Sequence, residues 1–282
     1  MKLNRSDDRK RSGIHGAPLI HIFSSLVSCI IKQFVDLKSY HKLFSNLHHA
    51  IDPTMSERES YKDLEMVVFD MAGTTLQIGG LIPVALREGF LEEGIELTDE
   101  EIRSIRGLSK IEAIRNLLEK HLGNPTEDLI QKIHKDFLQK LEMMFDREEV
   151  RLIPGAEETF SWLKAKNLLI ALNTGFERKY ALMILERVGW SDIADTLVCG
   201  DEVSEGRPAP DLILESMKRL DCRNPSRVAA VGDTQSDLNA AAEAKVGLAV
   251  GVLTGAHSDD QLKLCPHHLI IPGVGDLPKY LS

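Results

Sequence analysis

Short apolar runs alternate with longer stretches of helical periodicity from about residue 65 to the end of the chain. The runs hold four to six residues each, and their apolar character is typical of strands buried on both faces of a parallel sheet. Such alternation predicts an α/β fold, with a three-layer, Rossmann-like parallel-sheet core covered by helices. We expect strands at Met66–Phe69, Leu168–Asn173, Thr196–Cys199, Val228–Val231 and Leu248–Val252.

A stretch that is almost purely helical in pattern, from about Leu81 to Val150, separates the first two predicted strands. It is too long for an ordinary connection within an α/β domain. Capping boxes at Thr98/Glu101 and Ser109/Glu112 mark the starts of two helices, and regular apolar spacing over residues 129–141 marks a third. We therefore expect residues 81–150 to be an α-helical cap domain inserted into a core formed by residues 61–80 and 151–282.

The first sixty residues differ in charge from the rest of the chain. They carry nine basic and six acidic side chains, whereas residues 61–282 carry 25 basic and 37 acidic ones. A basic start followed by the mostly apolar Ala17–Ile31 is similar to a signal peptide, but that run is too short to span a bilayer. We expect residues 1–60 to be a poorly ordered extension and the protein to be cytoplasmic, with organelle targeting by residues 1–31 left open.

Composition narrows the classes of partner. The 282 residues include 43% hydrophobic and 27% charged ones, which is ordinary for a globular protein, and the formal net charge is −9. This acidic balance gives no basic surface for nucleic acid. Four cysteines stand singly, without the paired spacing of a zinc site or a disulfide framework. The expected partner is therefore a small molecule, with no nucleic acid and no stable membrane span, and a homodimer remains open.

Polar side chains follow three of the predicted strands. Asp70-Met71-Ala72-Gly73-Thr74 follows the first strand, Asn173-Thr174-Gly175 ends the second, and Gly232-Asp233 with Asp237 follows the fourth. One acid after a strand is more often a helix cap than a functional group. Because the carboxyl ends of parallel strands meet at one edge of the sheet, three such ends predict one crevice with carboxylates, hydroxyls and backbone N–H groups.

The order Asp70-x-Ala72-Gly73-Thr74, Thr174-Gly175, Arg207-Pro208 and Gly232-Asp233-x-x-x-Asp237 resembles the motif set of the haloacid dehalogenase superfamily over about residues 65–255. The resemblance implies that Asp70 is a nucleophile that forms an aspartyl intermediate. It implies that the substrate is held by Thr74, Thr174, Gly175 and Arg207. It also implies that Mg²⁺ is held by Asp70, the Ala72 carbonyl and Asp233, with Asp237 orienting a metal-bound water. The alternative for Arg207 is a surface arginine in a turn.

The chemistry of the residues agrees with that resemblance. A carboxylate attacks a dianionic group poorly unless a cation cancels their repulsion, and Mg²⁺ together with a basic side chain supplies that cancellation. Mg²⁺ prefers oxygen ligands and keeps several waters, so two carboxylates and a carbonyl would be enough ligands from the protein. Charge on the transferring group would be stabilised by Thr174, nearby N–H groups and the Arg207 guanidinium.

Ala72 is a departure from most phosphatases of the superfamily, which carry an Asp at this place to protonate the leaving oxygen. General acid catalysis is worth roughly 10²- to 10⁴-fold in rate, so a substrate with an alkoxide leaving group would react slowly. The phosphonatase branch resembles this chain here, with the same Asp-x-Ala-Gly-Thr-Thr and a Gly-Arg-Pro segment. Its members hydrolyse phosphonoacetaldehyde, and a cap lysine forms a Schiff base that makes the acid unnecessary.

Lys110, in the segment Gly107-Leu108-Ser109-Lys110, is placed like the cap lysine of that branch. A helix N-terminus and burial both disfavour an ammonium ion, which would make the amine nucleophilic. A phosphate contact and a solvent-facing lysine are equal alternatives. Phosphonatases proper carry a Met four residues before the lysine and a His three after it, where this chain has Arg106 and Ala113. Arg106 could bind a more anionic substrate.

We therefore expect a Mg²⁺-dependent hydrolase of a small phosphonate of the phosphonoacetaldehyde type. One alternative is a phosphatase acting on a small phosphate ester with a good leaving group. The other is a binding protein that kept the fold and lost turnover, which the intact set of site residues argues against.

Overall fold

The computed structural model describes residues 63–78, 80–145 and 150–282. The expected N-terminal extension, residues 1–60, lies outside the described residues. Six parallel strands form the central sheet, in the order β5-β4-β1-β6-β7-β8. They are β1 (Met66–Asp70), β4 (Leu169–Thr174), β5 (Thr196–Cys199), β6 (Val228–Gly232), β7 (Leu248–Val252) and β8 (Leu269–Ile271). The predicted α/β fold is confirmed.

The sheet is central because its strands are apolar on both faces. Alternate residues of a strand point to opposite sides, and β1 accordingly sends Val67 and Phe69 into one hydrophobic cluster and Met66 and Val68 into another. All five residues of β1 are buried. Each face is covered by helices, which bury these side chains and hold the sheet in three layers.

Helices of the core follow the strands in sequence. They are α5 (Ala156–Ala165), α6 (Arg178–Arg187), α7 (Asp211–Arg219), α8 (Gln235–Glu243), α9 (Asp259–Leu262) and α10 (Pro278–Leu281). Short 3₁₀ turns lie at Gly200–Glu202, Pro225–Arg227 and Val274–Asp276. In the part of the chain that the structure describes, no helix is long and apolar enough to cross a membrane.

Four helices fill the place where the sequence predicts a cap. They are α1 (Leu81–Leu91), α2 (Asp99–Ser104), α3 (Lys110–Leu122) and α4 (Glu127–Phe145), and we call them the inserted helices. They lie between two short antiparallel strands, β2 (Leu76–Gln77) and β3 (Arg151–Leu152). Helix α4 packs along α1 and α3 and buries its apolar stripe against them. The division into a core and a cap domain stays a prediction.

Local capping explains where the inserted helices begin. Thr98 forms the predicted box with Glu101, each side chain binding the other's backbone N–H. Ser109 caps α3 by accepting a hydrogen bond from the Glu112 N–H at 3.3 Å. The predicted second box is therefore half formed. This cap fixes the first turn of α3, in which Lys110 is the first residue.

The five predicted strands agree with the structure to within one residue at each end. Three further strands, β2, β3 and β8, were not predicted. β2 and β3 have two residues each, too few to show an alternating pattern. β8 is wholly apolar but has only three residues, too few to be distinguished as a strand by its pattern.

Candidate active site

Three neighbouring strands bring the predicted chemistry to one edge of the sheet. β1 pairs with β4 on one side and with β6 on the other, so their carboxyl ends lie side by side. Asp70 is the last residue of β1, Thr174 the last of β4, and Asp233 follows β6 directly. The predicted convergence of these residues is therefore present in the fold.

Arg207 is buried between two of the carboxylates, with only 4% of its surface exposed. Its guanidinium contacts Asp70 Oδ1 at 2.6 Å and also forms an ion pair with Asp237. The alternative of a surface arginine is therefore excluded. A buried guanidinium placed between two carboxylates holds the nucleophile candidate in one orientation.

Asp237 is engaged on both carboxylate oxygens. One oxygen meets Arg207, and Oδ2 accepts hydrogen bonds from the Thr234 N–H at 2.9 Å and the Thr234 hydroxyl at 2.6 Å. The latter contacts are half of the capping box at the start of α8. In this structure Asp237 orients Arg207 and caps a helix, and its expected task of orienting a metal-bound water stays a prediction.

Asp233 is fixed by donors on both oxygens. The Thr74 hydroxyl donates to Oδ1 at 3.0 Å, and the Ala256 N–H donates to Oδ2 at 2.7 Å. Gly73 has φ +101°, and a Cβ on it would lie 2.5 Å from Asp233 Oδ2, so this turn needs glycine both for conformation and for space. Thr74 is itself fully buried and does not line the cavity, so the structure places it behind Asp233 instead of against substrate.

Burial raises the pKa of two carboxyls at this edge. It raises the pKa of Asp70 to about 6 although Arg207 opposes the shift, and it raises the pKa of Asp233 to about 8, with help from the negative charges of Asp70 and Asp237. Three carboxyl groups gather at this edge, and the Arg207 guanidinium contacts two of them, Asp70 and Asp237, so acidic groups outnumber this one basic group. An added cation would relieve this imbalance.

The donor set fits Mg²⁺, which favours carboxylate and carbonyl oxygens and retains water. Asp70, Ala72 and Asp233 line one cavity. Among the described residues no three His, Cys, Asp or Glu side chains form a group that could hold a metal by themselves. A metal at this edge would therefore be bound by two carboxylates, a backbone carbonyl and water, and Mg²⁺ accepts such a set of oxygen ligands.

The cavity at this edge has a volume of about 230 Å³, and residues of the inserted helices and their connections line its far side. Its sheet wall is polar, with Asp70, Thr174, Arg207 and Asp233. Its inserted wall is mainly apolar. The apolar residues there are Ile78, Ile82, Leu86, Ile102, Ile105 and Leu108. The cavity suits a small molecule with a charged end and a less polar body.

Lys110 projects from the first turn of α3 into the same cavity. Its Nζ lies 5.1 Å from the centre of the Phe176 ring. Burial, and then the positive charge of Arg207, lower the pKa of Lys110 to about 8, while Asp70 opposes the shift. A solvent-facing lysine is therefore excluded, and the amine is neutral in a substantial fraction near physiological pH.

The segment just before α3 lies close against the core. Gly107 has φ +82°, and a Cβ there would lie 2.4 Å from the Thr234 hydroxyl oxygen. The Arg106 guanidinium donates to the Ala256 carbonyl at 3.2 Å and lines the cavity. Within the described residues no carboxylate pairs with Arg106, so its positive charge is available to a ligand.

The structure thus brings together Asp70, Ala72, Arg106, Lys110, Thr174, Gly175, Arg207 and Asp233 around one cavity. Thr74 and Asp237 lie behind it. Sequence reasoning missed Phe176 and the segment Gly255-Ala256, which also line the cavity. Gly255-Ala256 comes shortly after β7, whose carboxyl end lies at the same edge, so the strand-end rule that found the other residues could have found this segment.

Comparison with known proteins gives one family and a set of relatives. The sequence model described as "Haloacid dehalogenase-like hydrolase" matches residues 67–250. A phosphonoacetaldehyde hydrolase of Bacteroides fragilis is 30% identical over 209 residues, which cover 70% of this chain and 78% of that protein. Another from Bacillus cereus is 31% identical over 207 residues, covering 68% and 77%.

A solved structure is similar over most of the described fold. A phosphonoacetaldehyde hydrolase like protein from Oleispira antarctica superposes with a TM-score of 0.67 at 27% identity. The match covers 78% of this chain and 91% of that chain.

Proposed function

The chain belongs to the haloacid dehalogenase-like hydrolase family, as its motifs indicated, and we propose that it hydrolyses the carbon–phosphorus bond of a small phosphonate of the phosphonoacetaldehyde type. The single observation that carries this proposal is the amine of Lys110, placed with a lowered pKa in the cavity that holds Asp70. A carboxylate nucleophile and a neutral amine facing one small molecule suit a substrate with both phosphorus and a carbonyl group.

In the first step Lys110 attacks the aldehyde carbon. Its nitrogen lone pair forms the C–N bond, and the carbonyl oxygen leaves as water, which gives a protonated imine. The positive nitrogen then accepts the electron pair of the breaking C–P bond, so that carbon departs as an enamine. No acid is needed at position 72, which explains why Ala72 is compatible with turnover.

In the second step Asp70 attacks phosphorus. Its carboxylate oxygen forms the new P–O bond as the C–P bond breaks, and water then hydrolyses the aspartyl phosphate to free phosphate. The enamine takes up a proton on carbon, and a second water hydrolyses the resulting imine to acetaldehyde, which frees the Lys110 amine. Arg207 holds Asp70 at 2.6 Å, and Thr174 and Gly175 line the cavity, where the Thr174 hydroxyl and nearby N–H groups would stabilise charge on the phosphoryl oxygens.

Asp70, the Ala72 carbonyl and Asp233 would hold Mg²⁺. When bound, the metal supplies positive charge that offsets repulsion between the nucleophile and the phosphoryl oxygens. Thr74 and Ala256 keep the Asp233 carboxylate aimed for this task. We propose also that the inserted helices act as a cap that excludes water from the cavity and presents Lys110.

The test uses purified protein with phosphonoacetaldehyde and Mg²⁺. We expect release of phosphate and acetaldehyde, and borohydride should trap a covalent adduct on Lys110. Trapping should speed up as pH rises through about 8, because the neutral amine then predominates. Lys110→Arg should lose turnover although its charge remains, since a guanidinium keeps its proton and forms no imine.

The matched control is Lys179→Arg, which changes a lysine that lies on helix α6 and pairs with Glu142 of α4. It should behave like wild type. An absence of adduct together with an active Lys110→Arg variant would contradict the proposal.

A second candidate is hydrolysis of a small phosphate ester whose leaving group needs no acid. The observation that favours it is the Arg106 guanidinium in the cavity, which has no carboxylate partner within the part of the chain that the structure describes and would bind a second anionic group on the substrate. A panel of phosphate esters discriminates the two, because this candidate predicts turnover that Lys110→Arg leaves largely intact.

A further inference from the structure

Asn173 is a polar residue of the strand-end motifs that has no role in the proposed reaction. It stands one residue before the end of β4, with only 4% of its surface exposed. In the parallel pair of β1 and β4 it lies directly beside Asp70. Alternate residues of a strand share a face, so both side chains lie on the face formed by Val68 and Ala171, two residues earlier in each strand. A buried amide therefore neighbours the proposed nucleophile.

The Arg207 guanidinium has three nitrogens, and two of them meet carboxylates. Nη2 contacts Asp70 Oδ1 at 2.6 Å, and Nη1 pairs with Asp237. The third nitrogen, Nε, is buried and has no hydrogen-bond partner among the described residues. An N–H that is buried without a partner has lost its hydrogen bond to water, which destabilises the folded state. A partner for Nε is therefore expected.

A second cavity, of about 10 Å³, also touches Arg207, and we call it the small cavity. Arg207 is the one residue that lines both this cavity and the larger one that holds Lys110. Asn173 and Asp237 supply the other polar side chains of its wall, and its seven remaining residues are apolar or glycine. A cavity of this size holds about one water molecule, which needs roughly two to four polar partners. The small cavity therefore has the size and the polar groups for one water.

We propose that the small cavity binds one ordered water and that Asn173 acts through it as a positioning residue for Asp70. The water accepts a hydrogen bond from Arg207 Nε and donates one to Asn173 Oδ1. All the guanidinium nitrogens are then held, which fixes the plane of the guanidinium. Through the 2.6 Å contact, that plane fixes the direction in which Asp70 faces phosphorus. The inference rests on the proposed function only in that Asp70 is the nucleophile.

The main test is Asn173→Leu, which keeps the size of the side chain and removes its amide. The first measurement is the affinity for beryllium fluoride, which binds an aspartate nucleophile beside Mg²⁺ as an analogue of the aspartyl phosphate and is followed by ¹⁹F NMR. We expect Asn173→Leu to weaken this affinity by about tenfold, the size of a lost orienting hydrogen bond. The second measurement is borohydride trapping of propionaldehyde on Lys110. Its rate should stay within about twofold of wild type, because the charges around Lys110 are unchanged.

Two further variants separate the water from the amide itself. Ala240→Val fills the small cavity and leaves Asn173 in place, so it should weaken beryllium fluoride binding as much as Asn173→Leu does. Asn173→Ser keeps a hydroxyl that can bind the water, so it should recover most of the wild-type affinity. Ala171→Val is the matched control, because it enlarges a buried alanine on the same sheet face that does not line the small cavity. It should lower the Tm and leave the affinity unchanged.

A crystal structure of the wild type should show a water in the small cavity bound to Asn173 and Arg207. The inference is overturned if that water is missing, if Asn173→Leu binds beryllium fluoride within about twofold of wild type, or if Ala171→Val shows an equal loss. If wild type binds beryllium fluoride but releases no phosphate from phosphonoacetaldehyde, the proposed function fails and these measurements still decide the inference. If wild type binds no beryllium fluoride, the role of Asp70 as nucleophile fails and the inference fails with it.

Discussion

The sheet wall of the cavity holds its charged side chains by ion pairs and hydrogen bonds, whereas the wall from the inserted helices leaves its two cations almost unbound. Asp70 and Asp233 each have fixed partners within 3.0 Å. Lys110 has an aromatic ring beneath its amine, and Arg106 has one hydrogen bond to a carbonyl. Neither cation has a carboxylate within contact among the described residues.

This difference separates two tasks. Chemistry at phosphorus needs a nucleophile and metal ligands that do not rearrange during the reaction, and buried networks supply that rigidity. Selection of substrate needs groups whose unsatisfied charge or reactive nitrogen a ligand can complete. We therefore expect substitutions on the sheet wall to stop the reaction, and substitutions on the inserted wall to change which substrate reacts and how well it binds.

The largest expected effect is from Asp70→Asn on the sheet wall. The amide keeps the shape of the carboxyl but forms no acyl phosphate, so turnover should fall by more than about a hundredfold. The fold should remain, as judged by circular dichroism. Steady-state phosphate release is the measurement, and residual activity above about a hundredth of wild type would contradict the role of Asp70 as nucleophile.

Asp233→Asn should act through the metal. Loss of one charged ligand should raise the Mg²⁺ concentration for half-maximal activity by more than about tenfold, measured in a magnesium titration. Asp260→Asn, which removes the same charge from an exposed site, is the control. An unchanged titration in Asp233→Asn would place the metal elsewhere.

Metal-free protein should also show the charge imbalance of this wall as a pH effect. The raised pKa values of Asp70 and Asp233, about 6 and about 8, mean that between about pH 4 and 8 the folded state binds more protons than the unfolded state. Its stability should therefore fall as pH rises through that window. We expect the Tm measured in chelator to drop from pH 5 to pH 8. Added Mg²⁺ should raise the Tm more at pH 8 than at pH 5, and Asp233→Asn should reduce both pH dependences.

Gly107→Ala should disturb the inserted wall alone. The new Cβ would meet the Thr234 hydroxyl at 2.4 Å in a backbone with positive φ, which should shift the turn that carries Lys110. We expect adduct formation on Lys110 to fall by about tenfold, with the Mg²⁺-induced Tm shift unchanged. Gly94→Ala has a similar φ and open space around it, so it isolates backbone strain from the clash.

The smallest expected effect is from Arg106→Gln. Removal of this guanidinium from the cavity should raise KM for an anionic substrate by about tenfold and leave kcat within about twofold, because the group binds without taking part in bond breaking. Arg103→Gln, on the exposed side of α2, serves as control. A fall in kcat with KM unchanged would assign Arg106 to the chemical step.

Most of the sheet wall could be predicted from the sequence. Asp70, Thr174 and Asp233 each follow an apolar run directly, and the rule that parallel strands end at one edge brings them together without coordinates. Thr74 and Asp237 show the limit of that rule. They stand at the same strand ends, yet Thr74 lies behind Asp233 and Asp237 holds Arg207, because each direction depends on which donors pack beside it.

The sequence by itself determined the α/β core, the helical insertion and the candidate nucleophile, because those depend on periodicity and on residues that adjoin their own strand. Only the tertiary structure decided the state of Lys110 and the burial of Arg207. Lys110 and Arg207 are far apart in the chain, so whether one charge acts on the other depends on how the inserted helices pack on the core. A pKa follows from burial and from neighbouring charges, and both are properties of packing.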